Sequence, residues 1–280
     1  MSGKLPSSPN SRKTLSSLDL LHLAITAAEH AAGYLRSVER PRDPAGWGVK
    51  SARDFVTDVD RTAEGIIREL VLAAEPGAAV VGEELGSELT SDGLVWIIDP
   101  LDGTTNFLHG YPWYGVSLAA AIDGVFEVGV VVNVPRNETV TATRGGGAWL
   151  GTRRLAVSSI ADPGFALIGT GYLFRDLTRI DEYQAQFARV SAAASGLRRA
   201  GSAALDLVSV ASGEFEAFWE QQLSAWDIAA GALIVREAGG IVTDFGGRDV
   251  GIEHSSVVAG SPAMHRWLLG AIRGDGQAAG

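Results

Sequence analysis

Trp96-Ile97-Ile98-Asp99-Pro100-Leu101-Asp102-Gly103-Thr104-Thr105-Asn106-Phe107 places two carboxylates directly after a continuous apolar run that begins at Leu94. Such a run is the pattern of a strand buried on both faces. Pro100 and Gly103 oppose simple continuation, so the spacing predicts that the strand stops at Ile98 and the chain turns sharply. The turn would aim Asp99 and Asp102 at one point. Carboxylate and carbonyl oxygens gathered this way suit a hard cation such as Mg²⁺. The backbone N–H groups of Gly103, Thr104 and Thr105 can then face a phosphate at the start of a helical turn.

Other acids occupy similar places. Glu83 and Glu84 follow the short apolar run Ala79 to Gly82, and Asp227 sits where a helix begins after Ser224. Asp227 alone could serve as a partner for the helix dipole, and Asp99 alone as a turn residue. Asp54-Phe55-Val56-Thr57-Asp58-Val59-Asp60 adds three more acids. Asp58 would satisfy a helix N-terminus, which leaves Asp54 and Asp60 without a structural reason. Acids gathered without metal repel one another and take up protons, a cost that a divalent ion removes.

Outward from these motifs the chain mixes helices with strands. A helix from Ser16 or Ser17 is expected to bury Leu18, Leu21, Ile25, Ala28, Ala32 and Leu35. A second, from Asp58, would bury Ile66, Ile67, Leu70 and Val71 and stop at Pro76-Gly77. Tyr114 to Ile122 and Val125 to Val132 read as strands joined by a hairpin at Asp123-Gly124, and Thr139 to Thr143 as another. Further strands are expected at Ala166 to Thr170, near Leu197, at Phe215 to Trp219, Ile241 to Thr243 and Val257 to Ala259. Helices are expected over Arg179 to Ala192, Ser202 to Ala211 and Trp226 to Glu237, with a last one opened by Pro262. This mixture of hairpins and crossovers predicts a layered α/β sandwich. Residues 1–17, rich in Ser and Pro, read as a disordered leader. Residues 18–158 read as an N-terminal metal- and phosphate-binding half, 159–274 as a C-terminal half completing the site, and 275–280 as a tail.

The 280 residues carry a formal charge of −10, 46% hydrophobic residues and no cysteine. The acidic balance argues against a nucleic-acid partner. Absence of cysteine excludes disulfides, thiolate nucleophiles and Cys-ligated zinc. The five histidines show no metalloprotease spacing. No apolar run approaches a membrane span and no secretory h-region is present, so the expected location is the cytoplasm, away from the membrane.

With these motifs in place, the sequence resembles the inositol monophosphatase family. The resemblance rests on DFVTDVD at 54–60, GEE at 82–84, WIIDPLDGTTNF at 96–107, GSAALDL at 201–207 and WDIAAGALIVREAGG at 226–240. It implies an alternating α-β-α-β-α sandwich, a homodimer, and Mg²⁺-dependent, commonly lithium-sensitive hydrolysis of a phosphate monoester with two or three ions per site. It also implies metal ligation by Glu83, Asp99, the Leu101 carbonyl, Asp102 and Asp227. Gly103 and Thr104 would contact phosphate, while Thr104, Asp60 and Glu83 would act in catalysis. Gly201, Ser202, Ala203, Glu220, Asp102 and Asp227 would hold the alcohol. Inositol 1-phosphate is the expected substrate, as a small phosphorylated polyol. Histidinol phosphate (an amino alcohol ester), fructose 1,6-bisphosphate and adenosine 3′,5′-bisphosphate stand as alternatives, and a silent metal-binding regulatory protein as the non-enzyme reading. The loop holding Lys50 is one residue shorter than in the animal enzymes of the family, which bears on a third ion.

Other residues take bland readings. Trp47 and Trp113 are read as packing residues, and His109 as a loop histidine with a backbone hydrogen bond. Arg198-Arg199 are read as exposed strand-end arginines, and Arg236-Glu237 as a solvated helix face.

Overall fold

The computed structural model describes residues 15–44, 47–51, 54–56, 58–86, 90, 92–172, 177–253 and 256–275, with 49–51 and 54–56 described by backbone alone. The expected roles of Lys50, Asp54 and Thr57, most of the leader and all but the first residue of the tail lie outside the described side chains.

Helix α1 (Ser17–Ser37) opens on Ser16, whose hydroxyl accepts from the Asp19 N–H while the Asp19 carboxylate accepts from the Ser16 N–H. This reciprocal cap fixes the helix start. Ala28, Ala32 and Leu35 are buried as predicted, joined by Leu20, Ala24, Ala27 and Ala31, while Leu21 and Ile25 are only half-buried and Leu18 is exposed. The alanines decide this: their small side chains let α1 lie against both the sheet and a second helix, where a stripe of larger residues would hold them apart. A short hairpin, β1 (Gly48–Ser51) and β2 (Asp54–Val56), leads to α2 (Asp58–Ala74). In α2, Ile67 and Val71 are buried as predicted, while Ile66 and Leu70 are only half-buried. The added buried positions are Val59, Asp60, Ala63 and Glu64, two of them acids.

A seven-stranded sheet follows, from β3 (Ala79–Gly82), β4 (Leu94–Asp102), β5 (Gly115–Ile122), β6 (Val125–Asn133), β7 (Glu138–Thr143), β8 (Gly147–Leu150) and β9 (Arg153–Arg154). Only β3 and β4 are parallel. The short helix α3 (Thr104–His109) lies between β4 and β5. The five-stranded sheet has order β11-β10-β12-β14-β13, with β10 (Leu167–Thr170), β11 (Gly196–Arg198), β12 (Ala217–Gln221), β13 (Ile241–Thr243) and β14 (Ser256–Gly260). The remaining helices are α4 (Ile180–Ser191), α5 (Ala203–Ala211), α6 (Ala225–Glu237) and α7 (Pro262–Arg273).

Three apolar clusters define five layers. α1 and α2 cover one face of the large sheet through Trp96, Ile98, Leu118 and Val130. α5 and α6 fill the space between the sheets, touching Val95, Ile97 and Val131 on one side and Phe218, Val257 and Ala259 on the other. α4 and α7 cover the outer face of the small sheet over Trp219 and Val258. The order is α-β-α-β-α. It buries both faces of each sheet, which explains why β4 to β6 are apolar along both sides.

Arg236-Glu237 corrects the sequence reading. The Arg236 guanidinium donates to the Val250 carbonyl at 2.8 Å, and the Glu237 carboxylate accepts from the Gly145 and Gly147 N–H groups at 2.7 and 2.8 Å. The pair stitches α6 to the rims of both sheets rather than facing solvent.

Candidate active site

The predicted strand end at Ile98 is wrong in an informative way. β4 runs on through Asp102, with its register shifting against β5 between Asp99↔Ser117 and Asp102↔Gly115. Three steps on β4 match two on β5, so one extra residue is inserted. In a regular strand, positions 99 and 102 would point to opposite faces. The bulge turns them to the same side, and Pro100 falls where no ladder donor is needed. Leu101 consequently packs with Trp96 and Ile98 against α1 and α2, while Asp99 and Asp102 face the layer between the sheets.

There Asp227, in the first turn of α6, meets them. One carboxylate oxygen from each of Asp99, Asp102 and Asp227 lies within 4.8 Å of the others, and all three residues are buried. Each is held. Asp99 accepts from the Leu101 N–H at 3.0 Å, and Asp227 accepts from the Ser224 N–H at 2.6 Å. Asp102 Oδ2 accepts from the Ser202 hydroxyl at 2.6 Å and the Ala204 N–H at 2.7 Å. Burial first, then the charges of Glu83, Asp102 and Asp227, pushes the Asp99 carboxyl well above the usual carboxylate range. Burial also raises Asp102 to about 6, although the Ser202 and Ala204 hydrogen bonds oppose it. Two full charges this close repel by about 3–4 kcal/mol at an effective dielectric near 20. All the charges acting on Asp99 are negative. A cluster of hard oxygen donors with excess negative charge fits a divalent cation such as Mg²⁺.

Glu83 lines the same pocket from the turn after β3, half-buried. Its position depends on Glu64, which the sequence hid inside the amphipathic pattern of α2. The Glu64 carboxylate is fully buried and accepts from the Glu84 N–H at 2.7 Å and the Leu85 N–H at 3.2 Å. Arg68 pairs with it at 3.2 Å. A methyl group on Gly82 would overlap this carboxylate, so glycine is what lets it reach under the turn. Glu64→Gln would turn an amide N–H₂ toward backbone donors. The expected result is a rise of about tenfold in the Mg²⁺ concentration for half-saturation. Titrating Mg²⁺ by calorimetry and by thermal shift checks it; unchanged Mg²⁺ affinity in a folded variant would remove Glu64 from the site.

The other predicted residues converge too. The Thr104 hydroxyl opens α3 with the Asp60 carboxylate at 3.0 Å and the Leu101 carbonyl at 3.1 Å, two acceptors for one proton. Asp60, from α2, is buried just behind the pocket. Gly103, at φ 100°, occupies the left-handed region that lets β4 pass directly into α3. The first turn of α3 leaves its N–H groups without intrahelical acceptors. Gly201, Ser202, Ala203 and Glu220 reach the same pocket, whose volume is about 250 Å³. Asn106 ties the two halves of this rim, donating to the Trp113, Ala200 and Gly201 carbonyls at 2.6, 2.9 and 3.3 Å.

Arg199 is exposed, as its sequence reading expected, and also lines the pocket; Tyr172, Asp206, Gln221, Gln222 and Leu223 line it with no prior expectation. GSAALDL does contain Asp206, but its spacing gave no hint that the side chain turns inward. Trp113 packs beneath the Arg136 guanidinium, 5.0 Å from its ring centre. Trp47 stacks edge-on with His109, 5.3 Å between ring centres. That ring contact is what the structure places at His109, in place of the expected backbone hydrogen bond. None of these three side chains lines the pocket.

The sequence pattern described as the inositol monophosphatase family matches residues 18–277. The chain belongs to that family. Among family relatives, "Nus factor SuhB" of Pseudomonas aeruginosa is 45% identical over 260 residues, covering 91% of this chain and 96% of its own. An inositol-1-monophosphatase of Mesorhizobium japonicum is 44% identical over 227 residues, covering 80% and 85%. The crystal structure of extragenic suppressor protein suhB from Bartonella henselae superposes with a TM-score of 0.84 at 37% identity, over 91% and 98% of the two chains. The layered fold expected from the family resemblance is thus the one observed. Among the described residues no helix is long and apolar enough to cross a membrane.

Proposed function

We propose that the chain is a Mg²⁺-dependent phosphatase acting on a small polyol phosphate, with inositol 1-phosphate as the first substrate to test. The observation that carries this is the Thr104–Asp60 hydrogen bond beside three converging carboxylates. A buried carboxylate behind a hydroxyl is a route for a proton, and a purely structural cation site has no use for one.

Glu83, Asp99, Asp102, Asp227 and the Leu101 carbonyl would hold the ions. Bound there, Mg²⁺ supplies Lewis acidity toward the phosphate and the leaving oxygen. The residues supply the rest. The N–H groups at the start of α3 receive the phosphate oxygens. Thr104 Oγ1 accepts a proton from the attacking water while passing its own to Asp60 Oδ1. The water oxygen bonds to phosphorus as the ester P–O bond breaks, the departing alkoxide takes a proton from a solvent water to leave as the alcohol, and Asp60 returns its proton to solvent. The name carried by the Pseudomonas relative supports a second, non-catalytic reading; the complete set of carboxylates favours turnover.

The test is phosphate release from a panel of inositol 1-phosphate, histidinol phosphate, fructose 1,6-bisphosphate and adenosine 3′,5′-bisphosphate, with Mg²⁺ and with chelator. No Mg²⁺-dependent release from any of them overturns the enzymatic reading. Thr104→Ala is expected to lower kcat by about 10²-fold with little change in KM. An effect on KM alone would remove Thr104 from the proton path.

A further inference from the structure

A second cavity, of about 290 Å³, lies at the end of α3 opposite Thr104, against the last turn of α1. Arg36, Arg40 and Tyr114 line it, beside apolar walls from Leu35, Phe107 and Val134. No carboxylate lines it among the described residues, whereas six line the catalytic pocket. The only charged side chains bounding this cavity among the described residues are therefore positive, in a chain whose formal charge is −10.

The donors there are held in place and little used. Arg40 Nη1 donates to the Leu108 carbonyl at 3.1 Å, in the last turn of α3. A Cβ on Gly110, the residue that closes α3 at φ 71°, would overlap the guanidinium, so the group lies directly over that glycine. Capping a helix end accounts for one N–H of Arg40. Arg40 makes no other hydrogen bond among the described residues and pairs with no carboxylate among them, although a guanidinium carries five donors. The Tyr114 hydroxyl has no hydrogen-bond partner among the described residues either. Burial raises the Tyr114 phenol and the Arg40 charge opposes that rise, which places the two groups near one another. Arg36 reaches Glu29 at 3.3 Å in a partly exposed pair, a weak tie in water.

We propose that this cavity binds a small organic anion, a carboxylate on an apolar body about the size of a phenyl ring, at a site separate from the catalytic pocket. A guanidinium fork matches a carboxylate, and two forks with a hydroxyl supply donors that an oxyanion can use at once. The apolar walls set the rest of the ligand: an inorganic anion would leave Leu35, Phe107 and Val134 against water, whereas a ring or short chain would cover them. The volume stands near the lower end of small-molecule sites, roughly 300–1,000 Å³. Because Leu108 and Gly110 already fix the Arg40 guanidinium, binding would cost little ordering of that side chain. The ligand class follows from the cavity's own groups, so the inference stands apart from the substrate and from turnover.

Benzoate is the probe, with benzyl alcohol as its uncharged counterpart. Binding to the full chain is followed by saturation-transfer NMR in the presence of chelator, so that the catalytic pocket holds its acids without metal and repels an anion. Benzoate is expected to bind with a dissociation constant of about 1 mM or tighter, and benzyl alcohol at least roughly tenfold more weakly. Arg40→Gln is expected to weaken benzoate by about tenfold or more, as for loss of a charged hydrogen bond. Arg36→Gln is expected to weaken it by roughly fivefold. Arg36 is exposed near the end of α1, so this variant decides the matter alone if Arg40→Gln unfolds early. Arg199→Gln, which alters the catalytic pocket instead, is expected to bind benzoate as the native chain does. No benzoate binding by the native chain, equal binding of the alcohol, native affinity in Arg36→Gln, or loss of binding in Arg199→Gln would each overturn the site.

Discussion

Asp99→Asn is expected to lower Mg²⁺-dependent phosphate release by about 10³-fold or more, because metal ligation supplies several kcal/mol of transition-state stabilisation. The structure makes this residue central. Its carboxylate is buried, sits with Asp102 and Asp227 inside 4.8 Å, and is aimed by a bulge that Asn would leave intact. The Leu101 N–H would keep an acceptor in the Asn side-chain oxygen. The substitution also removes a negative charge from a site where every charge acting on Asp99 is repulsive. The metal-free variant is therefore expected to melt at or above the native temperature. Phosphate assay and calorimetry on the same preparation check both halves. Native turnover would remove Asp99 from the ion site, and a collapsed Tm would mean the loss is one of folding.

Removal of Mg²⁺ is the second large effect, and its dependence on pH follows from the carboxyls. Chelator is expected to abolish turnover. It is also expected to lower Tm by an amount that depends on pH. Asp102 titrates near 6 in the folded chain, against an ordinary value of 3.8. Between those values the folded chain holds a proton that the unfolded chain has released. The metal-free protein thus loses stability as pH rises through that window, by on the order of 3 kcal/mol if Asp102 acted alone. Asp99 is raised further and extends the loss to higher pH. Mg²⁺ competes with these protons and offsets the repulsion only where the carboxyls are ionised. At 100 times its dissociation constant an ion contributes about 2.7 kcal/mol, or roughly 5–10 °C for a domain of this size. The Mg²⁺-induced rise in Tm is expected to approach that range at pH 8 and to shrink toward zero near pH 5. An equal shift at both pH values would mean that the ions bind elsewhere than at these acids.

How the site could be read in advance differs from residue to residue. Asp99, Asp102 and Asp227 were visible because they stand at ends of apolar runs, where a carboxylate has no packing role. Thr104 and Asp60 were paired through the family resemblance, and the structure places them 3.0 Å apart. Glu64 and Asp206 were invisible because each is buried by an element distant in sequence: Glu64 sits in a helix whose amphipathic pattern assigns it to the polar face, and Asp206 in a helix whose residues are nearly all buried. For Glu64 it is the turn after β3, some 20 residues on. For Asp206 it is the wall shared with β12.

The sequence by itself determined the helix starts at Ser16 and Pro262, the Asp123-Gly124 hairpin and the apolar strands, because capping, turn geometry and periodicity act over a few neighbouring residues. It also determined which acids were chemically idle in the fold. Only the tertiary structure decided that a single inserted residue in β4 puts Asp99 and Asp102 on one side. It alone decided that α1 rotates to bury Leu20, Ala24, Ala27 and Ala31 in place of Leu18, Leu21 and Ile25, and that Glu64, Asp206 and Gln221 are buried polar groups. Each of those outcomes depends on what packs against a residue from elsewhere in the chain, and that partner is absent from any local window of sequence.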